Sequence, residues 1–503
     1  MTIRTGWVSE GAAADVCVVG SGPAGLALAM RLENAGFRVD VLESGAERRT
    51  ASADALNEAV DTGIPYVVGA HRRRMFGGSS NCWGGWCCPL SDQDFQLRPW
   101  VAEGPGWPIA EKDVSAYFGD AKRFLNLGEA RFDAAYWASR IGSPVSPIFD
   151  SVAPVEPLAW LISRPAPLPQ RFRDKLARSP LVRCFLETTV VRVARAADRK
   201  TVTGLEIVNP DGARVMVQAR AYVLALGAIE NARLLLLSDD VERAGLLNEQ
   251  DLVGRYFTEH VGSVNFGTIF GLRSAKLGLP LSSEYIIYPS DRAKSGEGED
   301  PPQGGFAFGM RLTADFQRQE HLPQYWMAML GTQDSDPHLA TAARLLGSET
   351  KDVQAVLVAA AFESEPNPNS RVTLSDQRDA LGQRKADLTW LITDRDRAQA
   401  SRCFKAVGKW LGTKSNLLFR PGDDPGEPGW QPVGGAHHIG TTRMTVDPRQ
   451  GIVDPDLRAH GFDNLFICGS STFPTPGFAN PTFSIVCLSL RLGDHIAATI
   501  GRI

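Results

Sequence analysis

No apolar run in this chain approaches the roughly 18–20 residues that a membrane-spanning helix requires. The longest candidates, such as residues 356–362, have the length of strands. Charge of one sign is not in excess either: a net charge of −4 gives no ground for expecting nucleic acid or an anionic membrane as partner. Residues 1–15 hold no apolar stretch of the kind a secretory signal needs, so a cytoplasmic location is expected. Cysteine is sparse, eight in all, with Cys82, Cys87 and Cys88 clustered but no C-x-x-C pair and no His-flanked metal spacing. Neither a disulfide framework nor a metal is expected. Repeats and extended low-complexity segments are lacking too.

What remains is an ordinary globular composition, 43% hydrophobic and 22% charged, over 503 residues. That length can bury more than one core, so two domains are the natural expectation.

The rest of the chain is organised around residues 15–43. A short apolar run, Val16 to Val19, precedes Gly20-Ser-Gly22-Pro23-Ala24-Gly25 and a helical pattern at Leu26, Leu28, Ala29 and Leu32. A second strand, Val39 to Leu42, ends at Glu43 and Ser44. This is a dinucleotide fingerprint in its βαβ context. Gly20 allows the tight turn, Gly22 lets a pyrophosphate approach the backbone, and Gly25 lets the helix sit close on the sheet. The free N–H groups at the helix start then face the phosphates. Glu43 stands where a ribose hydroxyl needs an acceptor, which disfavours NADP and leaves NAD and FAD open.

Residues 70–86 carry Arg72, Arg73 and Arg74 and then Gly77, Gly78, Ser79, Ser80, Asn81, Cys82, Trp83, Gly84 and Gly85. Successive backbone N–H groups there would form an anion nest, with Arg72 or Arg74 as counter-charge. From 182 to 227 strands return: 188–193, then a hairpin of 201–208 and 213–219 about Asn209-Pro-Asp-Gly212, then 221–226 ending at Gly227. Residues 261–433 differ in character, with strands at 263–270, 305–312 and 354–362, a Gly/Pro/acid-rich loop at 295–305 and a helix at 394–411. This block reads as a second domain whose sheet roofs the cofactor. The last seventy or so residues return to apolar strand and glycine, ending at Gly469, with Asn480 as N-cap and Pro481 at N1 of a final helix that continues through Thr482.

His437-His438 is the only His pair. If one of them and Asn480 face a single substrate oxygen beside a flavin, a neutral imidazole takes the hydroxyl proton, Asn480 donates to the same oxygen, and hydride leaves to N5. The helix start at Pro481 would favour charge on the reduced ring. Each residue also has a plain structural reading, His-His as surface or scaffold and Asn480 as a cap. Eleven tryptophans, Trp83, Trp86, Trp326 and Trp390 among them, offer faces for sugar rings, although most tryptophans serve cores.

Taken together, GSGPAG with Glu43, GGSSNCWGG at 77–85, GRYFTEH at 254–260, PNPNSRVTL at 366–374, HHIGTTRM at 437–444 and ANPTFS at 479–484 resemble the glucose–methanol–choline (GMC) flavin oxidoreductases. The Ala-Asn-Pro-Thr ending looks closest to the pyranose and glycoside oxidases and bacterial aminosugar dehydrogenases of that family. The resemblance covers nearly the whole chain. It implies an α/β fold: a Rossmann-like FAD-binding domain with a discontinuous chain (1–130, 181–260, 434–503). Into it is inserted an α+β substrate domain on an antiparallel sheet (131–180, 261–433). It implies FAD, a polyol or sugar-like substrate oxidised at CH–OH, and oxygen or another electron acceptor. In the family's H-x-x-G-T pattern the base falls on His437 and its partner on Asn480. Val190 would hold adenine through its backbone. Some relatives tether FAD through a histidine where this chain has Cys82, so a histidyl link is excluded there and noncovalent FAD is expected. Competing readings are a hydroxynitrile lyase that keeps FAD as structure and an oxidase of sterols or aliphatic alcohols. A flavoprotein using NAD(P)H lacks support, since no second G-x-G-x-x-G lies between a strand and a helix.

Overall fold

The computed structural model describes residues 3–5, 14–66, 68–101, 104–128, 131–142, 144–164, 167–197, 200–241, 243–273, 278, 286–287 and 305–500. The loop expected at 295–305 lies outside them except for Gly305.

The nucleotide fingerprint folds as its pattern dictates. The apolar run becomes the strand Ala14–Val19, buried throughout, followed by α1 (Pro23–Asn34) and the buried strand Val39–Leu42. These join a six-stranded parallel sheet in the order Ile3–Thr5, Val182–Leu186, Val39–Leu42, Ala14–Val19, Ala219–Leu224, Leu465–Ile467. The chain leaves Ala14–Val19 toward one side, while Ala219–Leu224 lies on the other. Such a reversal opens a crevice at the carboxyl ends of the strands, where open α/β sheets bind ligands. Two more helices border it: α2 (Gly227–Leu237), directly after Ala219–Leu224, and α4 (Thr482–Thr499) near the C-terminus. α4 packs on α1 where Asp494 meets Arg31 at 2.6 Å.

The second sheet has nine strands. Its path runs Leu417–Pro421, His260–Leu272, Val353–Glu363, Tyr325–Thr332, Gly305–Leu312, Val155–Ile162, Trp86–Cys87, every pairing antiparallel. Two short strands, Ile286–Ile287 and Val433–Gly434, attach beside this path. α3 (Asp394–Gly412) covers part of this sheet, burying Ala400, Cys403, Phe404, Val407 and Leu411. It begins where Thr393 accepts the Asp396 N–H at 3.0 Å in a capping box. Most buried apolar residues of both sheets form one continuous cluster, while Phe270, Val353 and Ala355 pack in a smaller one with Leu339, Ala342 and Ala343.

The hairpin Arg371–Arg378/Arg384–Trp390 departs from the expected division. Although it lies within 261–433, it pairs in parallel with Ala59–Gly63 in a separate three-stranded sheet. Arg233 of α2 ties it down, donating to Arg384 O at 2.9 Å and to Asp379 at 2.7 Å. Alternating hydrophobicity marks a hairpin's buried face but not the edge it joins. The other hairpin folds about its Asn209–Gly212 turn, with Val202–Val208 between Thr189–Arg195 and Arg214–Val217. All eight cysteines are free thiols, and only Cys82 is exposed. Among the described residues no helix is long and apolar enough to cross a membrane.

Candidate active site

The phosphate end is built by glycines with different duties. Gly20 sits at φ +102°, and a Cβ there would come 2.7 Å from Ala225 O. At Gly25 a Cβ would fall 1.9 Å from Gly20 O, so α1 meets its own turn without room for a side chain. Gly22 is different: its Cβ would meet no protein atom within 4 Å. It would stand instead in a cavity of about 540 Å³, which Gly22 lines. That volume suits a cofactor or ligand site. Bare backbone at Gly22 therefore leaves room for an occupant, at the start of a helix whose free N–H groups favour phosphate.

Glu43 pins this turn. It accepts from Ser21 N at 3.1 Å, Ser21 Oγ at 2.6 Å and Gly45 N at 2.9 Å. Burial raises its pKa against the pull of those donors. A carboxylate offers about four lone-pair positions, so one remains for a ribose hydroxyl.

The cavity brings most of the nominated residues together. Gly20, Pro23, Ala24, Glu43 and Ser44 line it beside Gly22, as do Arg72, Arg74, Gly78, Ser79 and Cys82 from the glycine segment. Gly227, Gly469, His437, Asn480, Pro481 and Thr482 close it from the remaining segments. Four nominated residues stay off its wall. Gly25 supports α1, while Gly77 and Asn81 shape the glycine loop: Gly77 N donates to Ser21 Oγ, and Asn81 Nδ2 to Phe76 O and Gly78 O. Val190 lines a smaller neighbouring cavity that shares Ser44, Arg74, Leu226 and Glu230 with the main one.

Arg72 and Arg74, expected as phosphate counter-charges, are turned to Glu230 at 2.7 and 2.6 Å. Burial alone would raise the Glu230 carboxyl, but Arg74, Arg233 and Arg72 outweigh it and hold the pKa at about 2. The arginines are thus committed to an internal ion cluster at the cavity edge. Of the four tryptophans, Trp83 and Trp86 line the cavity. Trp390 is core, and Trp326 packs edge-on against His260 with ring centres 4.8 Å apart.

At the other end, His437 and Asn480 meet: Asn480 Nδ2 lies 3.2 Å from His437 Nε2. Asn480 does not cap α4 as expected. The cap is formed without any side chain, Pro481 already has helical dihedrals, and the Asn480 amide is directed at the imidazole instead. The loop before it is held where Gly477 N donates to Glu363 at 3.0 Å, and Glu363 pairs with buried Arg98 at 2.6 and 2.8 Å.

Three residues without a nominated role hold the histidines. Glu259, wholly buried, accepts His437 N at 2.6 and 2.8 Å, His260 N at 3.0 Å and the Tyr66 hydroxyl at 2.7 Å. Burial raises the Glu259 pKa to about 7 despite those donors. Because the Tyr66 proton goes to Glu259, the Tyr66 oxygen accepts from His438 Nε2, 2.9 Å away. On the far side of its ring, His437 Nδ1 meets His260 Nδ1 at 2.8 Å. Burial lowers all three imidazoles, His260 to about 4, His438 to about 3 and His437 well below its ordinary value, so they are neutral near pH 7. The GRYFTEH segment contained the available signal, a Glu-His pair opening a strand, but nothing local assigns it to His437.

Residues 366–489 match the family model described as GMC oxidoreductase, and residues 18–78 match that of an NAD(P)-binding Rossmann-like domain. The matched C-terminal stretch is thus that of a GMC oxidoreductase. The family match and the relatives together indicate an FAD-dependent alcohol oxidoreductase. The glycine cradle, Glu43 and the cavity fit that cofactor.

The chain is 27% identical over 334 residues to the fructose dehydrogenase large subunit of Gluconobacter japonicus, covering 62% of this chain and 53% of that one. It therefore spans about half the length of that relative. It is 24% identical to the 2-methyl-1,2-propanediol dehydrogenase of Mycolicibacterium austroafricanum, covering 96% of this chain and 95% of that one. It is also 24% identical to the C-glycoside 3-oxidase of Microbacterium trichothecenolyticum, over 92% and 83%. Among solved structures, pyridoxine 4-oxidase from Mesorbium loti superposes with a TM-score of 0.58 at 19% identity, over 96% and 98% of the two chains. That likeness shows the fold.

Proposed function

We propose that this GMC oxidoreductase oxidises a CH–OH group of a sugar, glycoside or aminosugar-like alcohol to the carbonyl. His437 acts as base and Asn480 as the partner that holds the reacting oxygen. The observation that carries the reading is the 3.2 Å approach of His437 Nε2 and Asn480 Nδ2 on the wall of the cavity that also contains the Gly20–Gly22 turn. A lone pair and an N–H side by side address one hydroxyl from two directions: the imidazole takes its proton while the amide donates to the oxygen. Burial keeps His437 neutral, the form that accepts a proton. Bound FAD supplies the hydride acceptor. Gly20, Gly22, Glu43 and Ser44 would hold its nucleotide half, with Val190 at the adenine and the start of α4 at the ring.

A sugar-like substrate is supported by Trp83 and Trp86 on the cavity wall, whose faces suit the apolar face of a pyranose. Relatives named for fructose and a C-glycoside point the same way. One relative aligned over most of both chains is named for an aliphatic diol, so small alcohols form the second reading. An anaerobic screen of sugars, aminosugars, glycosides and aliphatic diols, scored by bleaching of the flavin absorbance, separates the two. Air readmitted to the bleached sample sorts oxidase from dehydrogenase. Cyanide release from a cyanohydrin, with no alcohol bleaching the flavin, would move the assignment to a lyase.

A further inference from the structure

We infer that His260 is a positioning residue that locks His437 in one tautomer, with the proton on Nδ1 and the lone pair on Nε2. The inference rests on the proposed role of His437 as base and explains why that role falls on His437 and not on its neighbour.

Two imidazole nitrogens, His260 Nδ1 and His437 Nδ1, lie 2.8 Å apart, so one must donate and the other accept. The other nitrogen of His260 decides which. His260 Nε2 faces Pro476 O at 3.4 Å, and a carbonyl can only accept. With its N–H on Nε2, neutral His260 has its lone pair on Nδ1. The proton between the rings then belongs to His437 Nδ1, and His437 Nε2 is left as an acceptor turned toward the cavity. Asn480 Nδ2, a donor 3.2 Å from that Nε2, agrees.

The opposite assignment fails at both ends. It would place a lone pair of His260 against the Pro476 carbonyl and an N–H of His437 against the Asn480 amide N–H. Nor does a doubly protonated His260 escape the choice, since burial of its ring (1% exposed) disfavours the cation.

Glu259 keeps the rings in register. One carboxylate accepts the backbone N–H of both His437 and His260, at 2.6 and 3.0 Å on Oε1. His438 is locked the other way, its Nε2–H committed to Tyr66. Of the adjacent histidines, only His437 thus presents an Nε2 lone pair. When that nitrogen gains a proton, His260 Nδ1 still accepts from Nδ1–H, so the cation keeps its hydrogen bond to His260. His260 also reaches, through Pro476, the loop that ends at Asn480, linking the base to the residue that shares its substrate oxygen.

The test uses the FAD-loaded protein. In enzyme labelled with ¹⁵N at histidine, the His437 ring is assigned by the signals lost in His437→Ala. We expect a protonated Nδ1 and an unprotonated Nε2; a protonated Nε2 would overturn the inference. Independently, His260→Leu should slow anaerobic flavin reduction about 10- to 100-fold with KM little changed, the size expected for removing a group that orients another. His260→Asn, whose Oδ1 stands at the acceptor position, should restore most of the rate. Equal slowing by Leu and Asn, or wild-type reduction by His260→Leu, would contradict the assignment. If His260→Leu fails to fold, the ¹⁵N spectrum of the unsubstituted protein still decides. Failure of the base reading itself looks different: His437→Ala would then reduce its flavin at the wild-type rate.

Discussion

Glu259 grips His437 by the backbone, both carboxylate oxygens lying within 2.8 Å of the His437 N–H. The imidazole meant to move a proton therefore hangs from a segment anchored by a buried acid, while its ring is addressed from His260 on one side and Asn480 on the other. Position and protonation are set by different groups, and each can be perturbed separately.

The first consequence concerns pH. An unperturbed histidine near 6.5 would give flavin reduction an inflection there, but burial holds His437 well below that value. Glu259 is the group raised to about 7. Its folded pKa lies above the ordinary 4.5, so its contribution to stability is fully present below 4.5 and is lost as pH rises through about 7. Yet the ionised form is the one that accepts from Tyr66, His437 and His260 together. The reduction rate should rise through about pH 7 while thermal stability declines modestly over the window from 4.5 to 7. Both features should vanish in Glu259→Gln. An inflection near 7 that survives this substitution would assign it elsewhere.

The two fingerprint glycines should separate cofactor binding from folding. Gly22→Ala meets no protein atom, so apoprotein stability should change by no more than about 0.5 kcal/mol. FAD should bind about tenfold more weakly or worse. Gly25→Ala, forced to 1.9 Å from Gly20 O, should destabilise the apoprotein itself. Denaturation and flavin titration of both variants measure the contrast, and equal loss of stability would refute it.

Glu230 neutralises Arg72 and Arg74 at 2.7 and 2.6 Å, with Arg233 at 3.4 Å. Removing one partner of such a buried cluster costs about 3–5 kcal/mol, so Glu230→Gln should unfold in markedly less denaturant. Because its folded pKa is depressed to about 2, the stability it contributes is present above 4.5 and lost as pH falls toward 2. A variant with wild-type acid sensitivity and midpoint would show that the cluster is not supporting the fold.

What could be read from the sequence was what is local. The βαβ unit, the strand Gly305–Leu312 and the helix after Thr393 announce themselves through period, glycine spacing and a cap within a few residues. Placing His437 and Asn480 together needed the family resemblance, since nothing across a separation of 43 residues dictates it. Glu259 and His260 stayed without roles because their partner is 178 and 177 residues away. The ion cluster of the arginines is hidden for the same reason: Glu230, the acid that pairs with them, lies 158 residues from Arg72. Polar contacts across such distances leave no periodic trace.

The central claim is that His437 takes the substrate's proton. Stopped-flow reduction of the bound flavin under anaerobic conditions, with the best alcohol from the screen, compares wild type with His437→Ala. The account predicts reduction slower by at least about 100-fold with FAD still bound; reduction at the wild-type rate would contradict it.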